Sequence, residues 1–95
     1  MLSILIPVYN YDVYPLASEI KLQADVLGIQ YEILVQDDNS TEFTTENQKI
    51  NSLSNCHYDV NPKNIGRGRN INLLCTKAAE EYVLIMEADS FPENK

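Results

Sequence analysis

The sequence predicts an α/β fold, a mostly parallel sheet flanked by helices, on three observations. Short apolar runs alternate with segments of helical periodicity, in the order strand, helix, strand, helix, strand, helix, strand. The runs are nearly continuous in hydrophobicity, the pattern of strands covered on both faces. Polar residues gather just after the runs, and right-handed crossovers bring those carboxyl ends to one rim of a parallel sheet.

The first run is Leu2–Val8, LSILIPV, of strand length. Over Tyr14–Leu27 the residues Leu16, Ala17, Ile20, Ala24 and Leu27 recur at helical spacing. Asp12 precedes them as a cap, Pro15 suits a first turn and Gly28 suits a terminus. The segment 31-YEILVQDD-38 reads as the second strand. Turn and cap formers follow at 39–45, then a weaker helix over 44–53 that rests on Ile50 and Leu53. A shorter third strand falls on 56-CHYDV-60, and Pro62, Gly66 and Gly68 punctuate the loop behind it. Residues 69–79 place Ile71, Leu74, Cys75 and Ala78 on one helical face. The run 82-YVLIM-86 is a fourth strand that delivers Glu87 and Asp89 before Pro92 turns the chain away.

Ninety-five residues make one small domain with a thin core. A hydrophobic content of 44% with three glycines and four prolines excludes disorder and fibrous repeats. The net charge of −7 lacks the broad basic face of a phosphate-backbone binder, so no nucleic-acid partner is expected. Most acids are scattered and read as solvated surface. The N-terminal apolar run is broken by Pro7 and has no basic leader, so it reads as neither a signal peptide nor a membrane span. Cys56 and Cys75 lack metal-ligand spacing and read as reduced core thiols of a cytoplasmic chain.

The expected rim collects Tyr9 and Asn10 after the first strand, Asp37 and Asp38 after the second, and Glu87 and Asp89 after the fourth. Carboxylates so placed repel one another unless a cation or hydrogen-bond donors sit among them. A hard divalent ion, Mn²⁺ or Mg²⁺, is the simplest answer, with Asp89 the first choice of ligand. The plainer alternative is that Glu87-Ala88-Asp89 ends a strand and caps a turn. DDNS is likewise good turn chemistry, while an acid there can also accept from a base or a ribose hydroxyl. Gly66 and Gly68 allow close backbone approach, and Arg69 at a helix start either pairs a diphosphate or is a solvated loop arginine. Tyr9 suits the wall of a base pocket, and His57 has no partner that gives it a role. No GxGxxG follows the first strand and no GxxxxGK[ST] occurs, which removes the main supports for dinucleotide and P-loop binding.

Taken in order, PVYN, ILVQDDNS, NIGRGRN and YVLIMEADSFP resemble the N-terminal half of family 2 glycosyltransferases of the GT-A fold. The resemblance covers essentially the whole chain. It implies a Rossmann-like sheet with strand order 3-2-1-4, and transfer with inversion from a nucleoside diphosphate sugar, most commonly a UDP-sugar, to a saccharide or other hydroxyl acceptor. It places Pro7, Val8, Tyr9 and Asn10 along the base, Asp37 and Asp38 on base and ribose, and Asn64, Gly66, Arg69 and Asn70 on the nucleotide and phosphate side. Glu87, Ala88 and Asp89 fall on the acidic motif, with Asp89 as ligand to the divalent metal. Glu87 stands where the family usually has Asp, and its extra methylene moves the carboxylate outward, leaving a contact to ribose or to metal open. The family's general base and acceptor elements lie downstream of this motif. Residues 1–95 are therefore expected to be a truncated, donor-binding part without turnover of its own, cytoplasmic or peripheral to a membrane in the full-length protein. The strand 82–87 is expected to be an edge that invites self-association. Two rivals stand beside this: a non-catalytic nucleotide- or metal-binding module, and a receiver-like signalling domain. The latter needs its acid pair after the first strand, which this chain lacks.

Overall fold

The computed structural model describes residues 2–79 and 81–88. Its elements are β1 (Leu2–Val8), α1 (Tyr14–Leu27), β2 (Tyr31–Asp37), α2 (Thr44–Gln48) with a 3-10 turn at Lys49–Ser52, β3 (Cys56–Val60), α3 (Arg67–Lys77) and β4 (Tyr82–Ile85). All pairings are parallel and the strand order is β3-β2-β1-β4, as the resemblance implies. β1 runs beside β2 from Leu2↔Tyr31 to Val8↔Asp37 and beside β4 from Leu2↔Tyr82 to Leu5↔Ile85. No helix among the described residues is long and apolar enough to cross a membrane.

The continuous hydrophobicity of β1 and β2 follows from their two covered faces. Successive strand side chains point to opposite sides of a sheet. Ile4, Ile6 and Val8 of β1 and Ile33 and Val35 of β2 face one side, where Leu16, Ala17, Ile20 and Ala24 of α1 and Ile50 of the 3-10 turn close over them. Leu5 and Leu34 face the other side and meet Leu74 of α3. The first layer is broad and the second is small, so α3 rests on few apolar contacts.

Local chemistry sets the ends of α1. The Asp12 carboxylate accepts from the Tyr14 amide at 3.1 Å, and the Val13 amide donates to Asn47 Oδ1 at 2.9 Å. Gly28 ends the helix in the left-handed conformation, φ 71°, which costs a residue without Cβ least. The predicted helix over 44–53 divides into α2 and the 3-10 turn. The tighter turn brings Asn51 beside β3, where its amide donates to the Tyr58 carbonyl at 3.1 Å and its carbonyl accepts from the Tyr58 amide at 2.9 Å. A side chain thus takes the place of a neighbouring strand and blunts that edge of the sheet.

Two expectations are corrected here. Cys75 is exposed, because α3 turns Asn70 and Leu74 towards the sheet. The buried Asn70 amide donates to the Gln36 carbonyl at 2.9 Å, a bond that fixes the helix's rotation against simple apolar periodicity. Cys56 is a core thiol as expected, and burial pushes its pKa up to about 11, which keeps it neutral and unreactive near pH 7. The second correction concerns β4. Its side chains read as doubly covered, yet all four are exposed, with Tyr82 at 64%. The helices lie over β1 and β2, and β4 stands beyond them at the end of the sheet.

The small second layer generates a prediction. Leu74→Ala should lower unfolding free energy by roughly 3 kcal/mol, since it removes the helix side of a three-leucine contact and leaves a cavity. Leu22→Ala, at a position 58% exposed, should change it by less than about 0.5 kcal/mol. Urea denaturation followed by circular dichroism measures both, and equal effects would contradict the packing described.

Candidate functional site

β1 has β2 on one side and β4 on the other, so the direction of winding reverses at its carboxyl end. Open parallel sheets bind ligands at such a point. A cleft of about 400 Å³ lies there, within the size range of small-molecule sites. One wall is the end of β1 and the residues after it, Pro7, Val8, Tyr9 and Tyr11; the other comes from the loop before α3 and its first turn, Asn64, Gly66, Arg67 and Asn70. Asp38 lies at its base, and Glu87 and Ala88 after β4 close the remaining side.

The two central acids are held by donors. Asp37 is fully buried; its Oδ1 accepts from the Ser40 amide at 2.8 Å and its Oδ2 accepts from the Tyr58 hydroxyl. Asp38 accepts from the Ile65 and Gly66 amides, both at 2.8 Å, and from Asn61 Nδ2 at 3.1 Å. Hydrogen-bond donors therefore relieve the crowding of these two carboxylates. Burial, and then the bond to Asp37, raises the pKa of Tyr58 well above its ordinary value near 10.

Behind Asp38 runs a polar chain that is buried from Gln36 to Asn70 and reaches the surface at Lys77. Lys77 Nζ donates to Gln36 Oε1 at 2.6 Å, Gln36 Nε2 donates to Asn61 Oδ1 at 2.7 Å, and Asn61 Nδ2 also reaches Asn70 Oδ1 at 2.9 Å. No described buried side-chain polar atom lacks a partner. Lys77 further pairs Asp59 at 3.0 Å, which holds that carboxyl below its usual range. This chain joins β2, the residue after β3, and both ends of α3 into one unit.

The predicted site residues divide by position. Pro7, Tyr9, Asp38, Asn64, Gly66 and Glu87 line the cleft. Asn10 and Asp37 are not among its lining and act in the supporting shell: the Asn10 carbonyl accepts from the Thr41 amide at 2.8 Å and the Glu42 amide at 3.2 Å, tying the turn after β1 to the loop after β2. Arg69 is exposed on α3 and is not among the lining; Arg67, two residues earlier, is, and it pairs with Glu87 across the opening. Asp89 lies outside the described residues. Among the described residues no group of three or more His, Cys, Asp or Glu is placed to hold a metal.

Sequence reasoning did not single out Tyr11, Gln36, Tyr58, Asn61 and Lys77. Gln36 carried a signal, as the only amide within an apolar strand of seven residues, YEILVQD. Buried polar groups need partners, and that demand pointed to side chains from other elements.

A Rossmann-like sheet with a polar cleft at its switch point defines the class of fold. The sequence matches glycosyl transferase family 2 over residues 3–95, and the chain belongs to that family. Among solved structures it is similar to residues 1–349 of S. aureus TarS, with 25% identity and a TM-score of 0.71 over 95% of this chain and 28% of that one. A second TarS structure gives 24% identity and a TM-score of 0.68, over 95% of this chain and 17% of that one. The chain thus spans less than a third of the solved proteins it resembles. No curated protein matches the sequence significantly.

The Tyr58–Asp37 bond yields a test. Tyr58→Phe should cost about 1–3 kcal/mol, because it leaves a buried carboxylate short of a donor. The raised pKa of Tyr58 means that its contribution is fully present below about pH 10 and is lost as pH rises through the folded value. Denaturation curves from pH 8 to 11 should therefore show a steady gap between the wild type and Tyr58→Phe up to about pH 10 and the start of its narrowing above that. A gap still constant at pH 11 would show that folding does not raise the pKa of this hydroxyl.

Proposed function

We propose that residues 1–95 form the donor-binding part of an inverting glycosyltransferase that takes a nucleoside diphosphate sugar, most commonly a UDP-sugar, and passes the sugar to a saccharide or other hydroxyl acceptor. The observation that carries this is the cleft at the end of β1, which combines exposed aromatic rings, Tyr9 and Tyr11, with Asp38, Arg67 and Glu87 in a chain of family 2. Aromatic faces suit a base, and an arginine suits a diphosphate.

In the transfer, the acceptor oxygen forms a bond to the anomeric carbon as the bond from that carbon to the diphosphate oxygen breaks. This chain's share is to bind and orient the leaving nucleotide. Asp38 fixes the loop at Ile65 and Gly66, which sets the second wall of the cleft. The general base is expected downstream of Lys95. Glu87, half-exposed on the cleft, and Asp89 two residues later supply hard oxygens suited to Mn²⁺ or Mg²⁺, whereas Asp37 and Asp38 direct theirs to internal donors. A bound divalent ion would neutralise charge on the leaving diphosphate.

Calorimetry tests this reading. UDP should bind more tightly in Mn²⁺ than in EDTA, and Asp89→Asn should remove about tenfold or more of that metal-dependent affinity. Equal UDP affinity in Mn²⁺ and EDTA, unchanged in Asp89→Asn, would reduce the acids to strand-end caps. Sustained release of nucleoside diphosphate from UDP-sugars by the 95-residue chain would show that the remaining machinery is not needed.

The exposed β4 edge supports a further part of the proposal, self-association through strand pairing. Light scattering at high concentration should show dimers or larger species that Leu84→Lys converts to monomer. A monodisperse wild-type monomer would rule this out.

A further inference from the structure

The cleft's polar groups are not equally free to meet a ligand. In the loop before α3 the Ile65 and Gly66 amides donate to the Asp38 carboxylate at 2.8 Å. Asn64 Nδ2 donates to the Asp38 backbone carbonyl at 3.1 Å and Asn70 Nδ2 to the Gln36 backbone carbonyl at 2.9 Å. All of these bonds lie in the buried or half-buried shell that shapes the loop. Breaking them would dismantle the second wall.

Arg67 differs in kind. It is the arginine that lines the cleft, and it pairs with Glu87 on the side that β4 closes, with side chains 58% and 51% exposed. An ion pair so exposed contributes only about 0–1 kcal/mol, so it exchanges partners at little cost. A diphosphate offers a guanidinium more negative charge than one carboxylate and accepts a bidentate contact.

We propose that Arg67 is the phosphate-binding cation of this cleft and that Glu87 is its placeholder, an internal carboxylate that holds Arg67 across the opening until a diphosphate displaces it. This rests on the donor-binding reading and adds to it a specific exchange. Glu87 competes with the ligand for Arg67, and once displaced it is released towards the ribose or a cation. Arg69, which sequence reasoning favoured for the diphosphate, takes no part in the exchange because it is not among the residues lining the cleft.

The test is a double-mutant cycle on the full 95-residue chain, titrated with UDP and with uridine, in EDTA and again in Mn²⁺. Glu87→Gln should bind UDP about threefold to fivefold more tightly in EDTA, since the competing charge is gone. Arg67→Gln should weaken UDP roughly tenfold, and the double variant should match Arg67→Gln alone, with no gain from the second change. Arg69→Gln should stay near wild type, and uridine affinity should be the same in all the proteins. Both residues are half-exposed, so unchanged thermal melts will confirm that the variants fold. UDP binding by the wild type with no tightening in Glu87→Gln in either condition, or a gain that survives in the double variant, would overturn the placeholder while leaving the donor reading intact. An equal change for uridine would overturn phosphate recognition by Arg67. Failure of every protein to bind UDP or uridine in both conditions would overturn the donor reading, and the exchange with it.

Discussion

The carboxylate of Asp38 is the constraint on which the rest of the cleft depends. It sits just past β2, 4% exposed, and gathers two backbone amides from the loop before α3 and one side-chain amide from Asn61. A buried charge is tolerable only with such donors around it. The loop must therefore come to the acid, and where the loop comes the helix starts. Gly66 makes this possible by adopting φ 90°, a conformation that other residues rarely take. The acid, the loop and α3 are consequences of one another.

That polar anchor matters because the apolar one is weak. α3 contributes Leu74, with Ala78 at the margin, to a layer whose other members are Leu5 and Leu34. The chain Lys77–Gln36–Asn61–Asn70 supplements it with directional bonds that fix the helix's rotation and height. A network with every member satisfied specifies one arrangement, where a small patch of leucines would accept several. The opposite face needs no such device, since α1 and the 3-10 turn bury a broad set of aliphatic residues.

Membership of glycosyl transferase family 2 gives the cleft a context, and its charged groups divide accordingly. Asp37, Asp38, Asn10 and Asn61 hold the walls. Arg67 and Glu87, paired across the opening, are free to change partners. The added methylene of Glu87 relative to an aspartate extends its reach, and in this structure that reach is directed at an arginine. Shape comes from the buried groups and response to a ligand from the exposed ones, because only the latter can trade a weak contact without cost to the fold.

The sequence by itself determined the element order, the parallel topology and the rim on which the polar residues meet. Apolar runs, helical spacing and turn residues are local properties, and β3 at Cys56–Val60 was legible to the residue. It also marked Tyr9, Asp38, Asn64, Gly66 and Glu87, all of which lie on one cleft. Tertiary structure alone decided which arginine faces that cleft, because two residues along a helix is more than half a turn. It decided that Cys75 faces solvent, since the helix's rotation follows the Asn70 bond to a carbonyl of β2 rather than the periodicity of its own apolar residues. And it decided that β4, as apolar as any strand here, is exposed: hydrophobicity states what a strand would bury, but at the end of the sheet β4 has, among the described residues, a strand neighbour, β1, on one side alone, and the helices pack over β1 and β2.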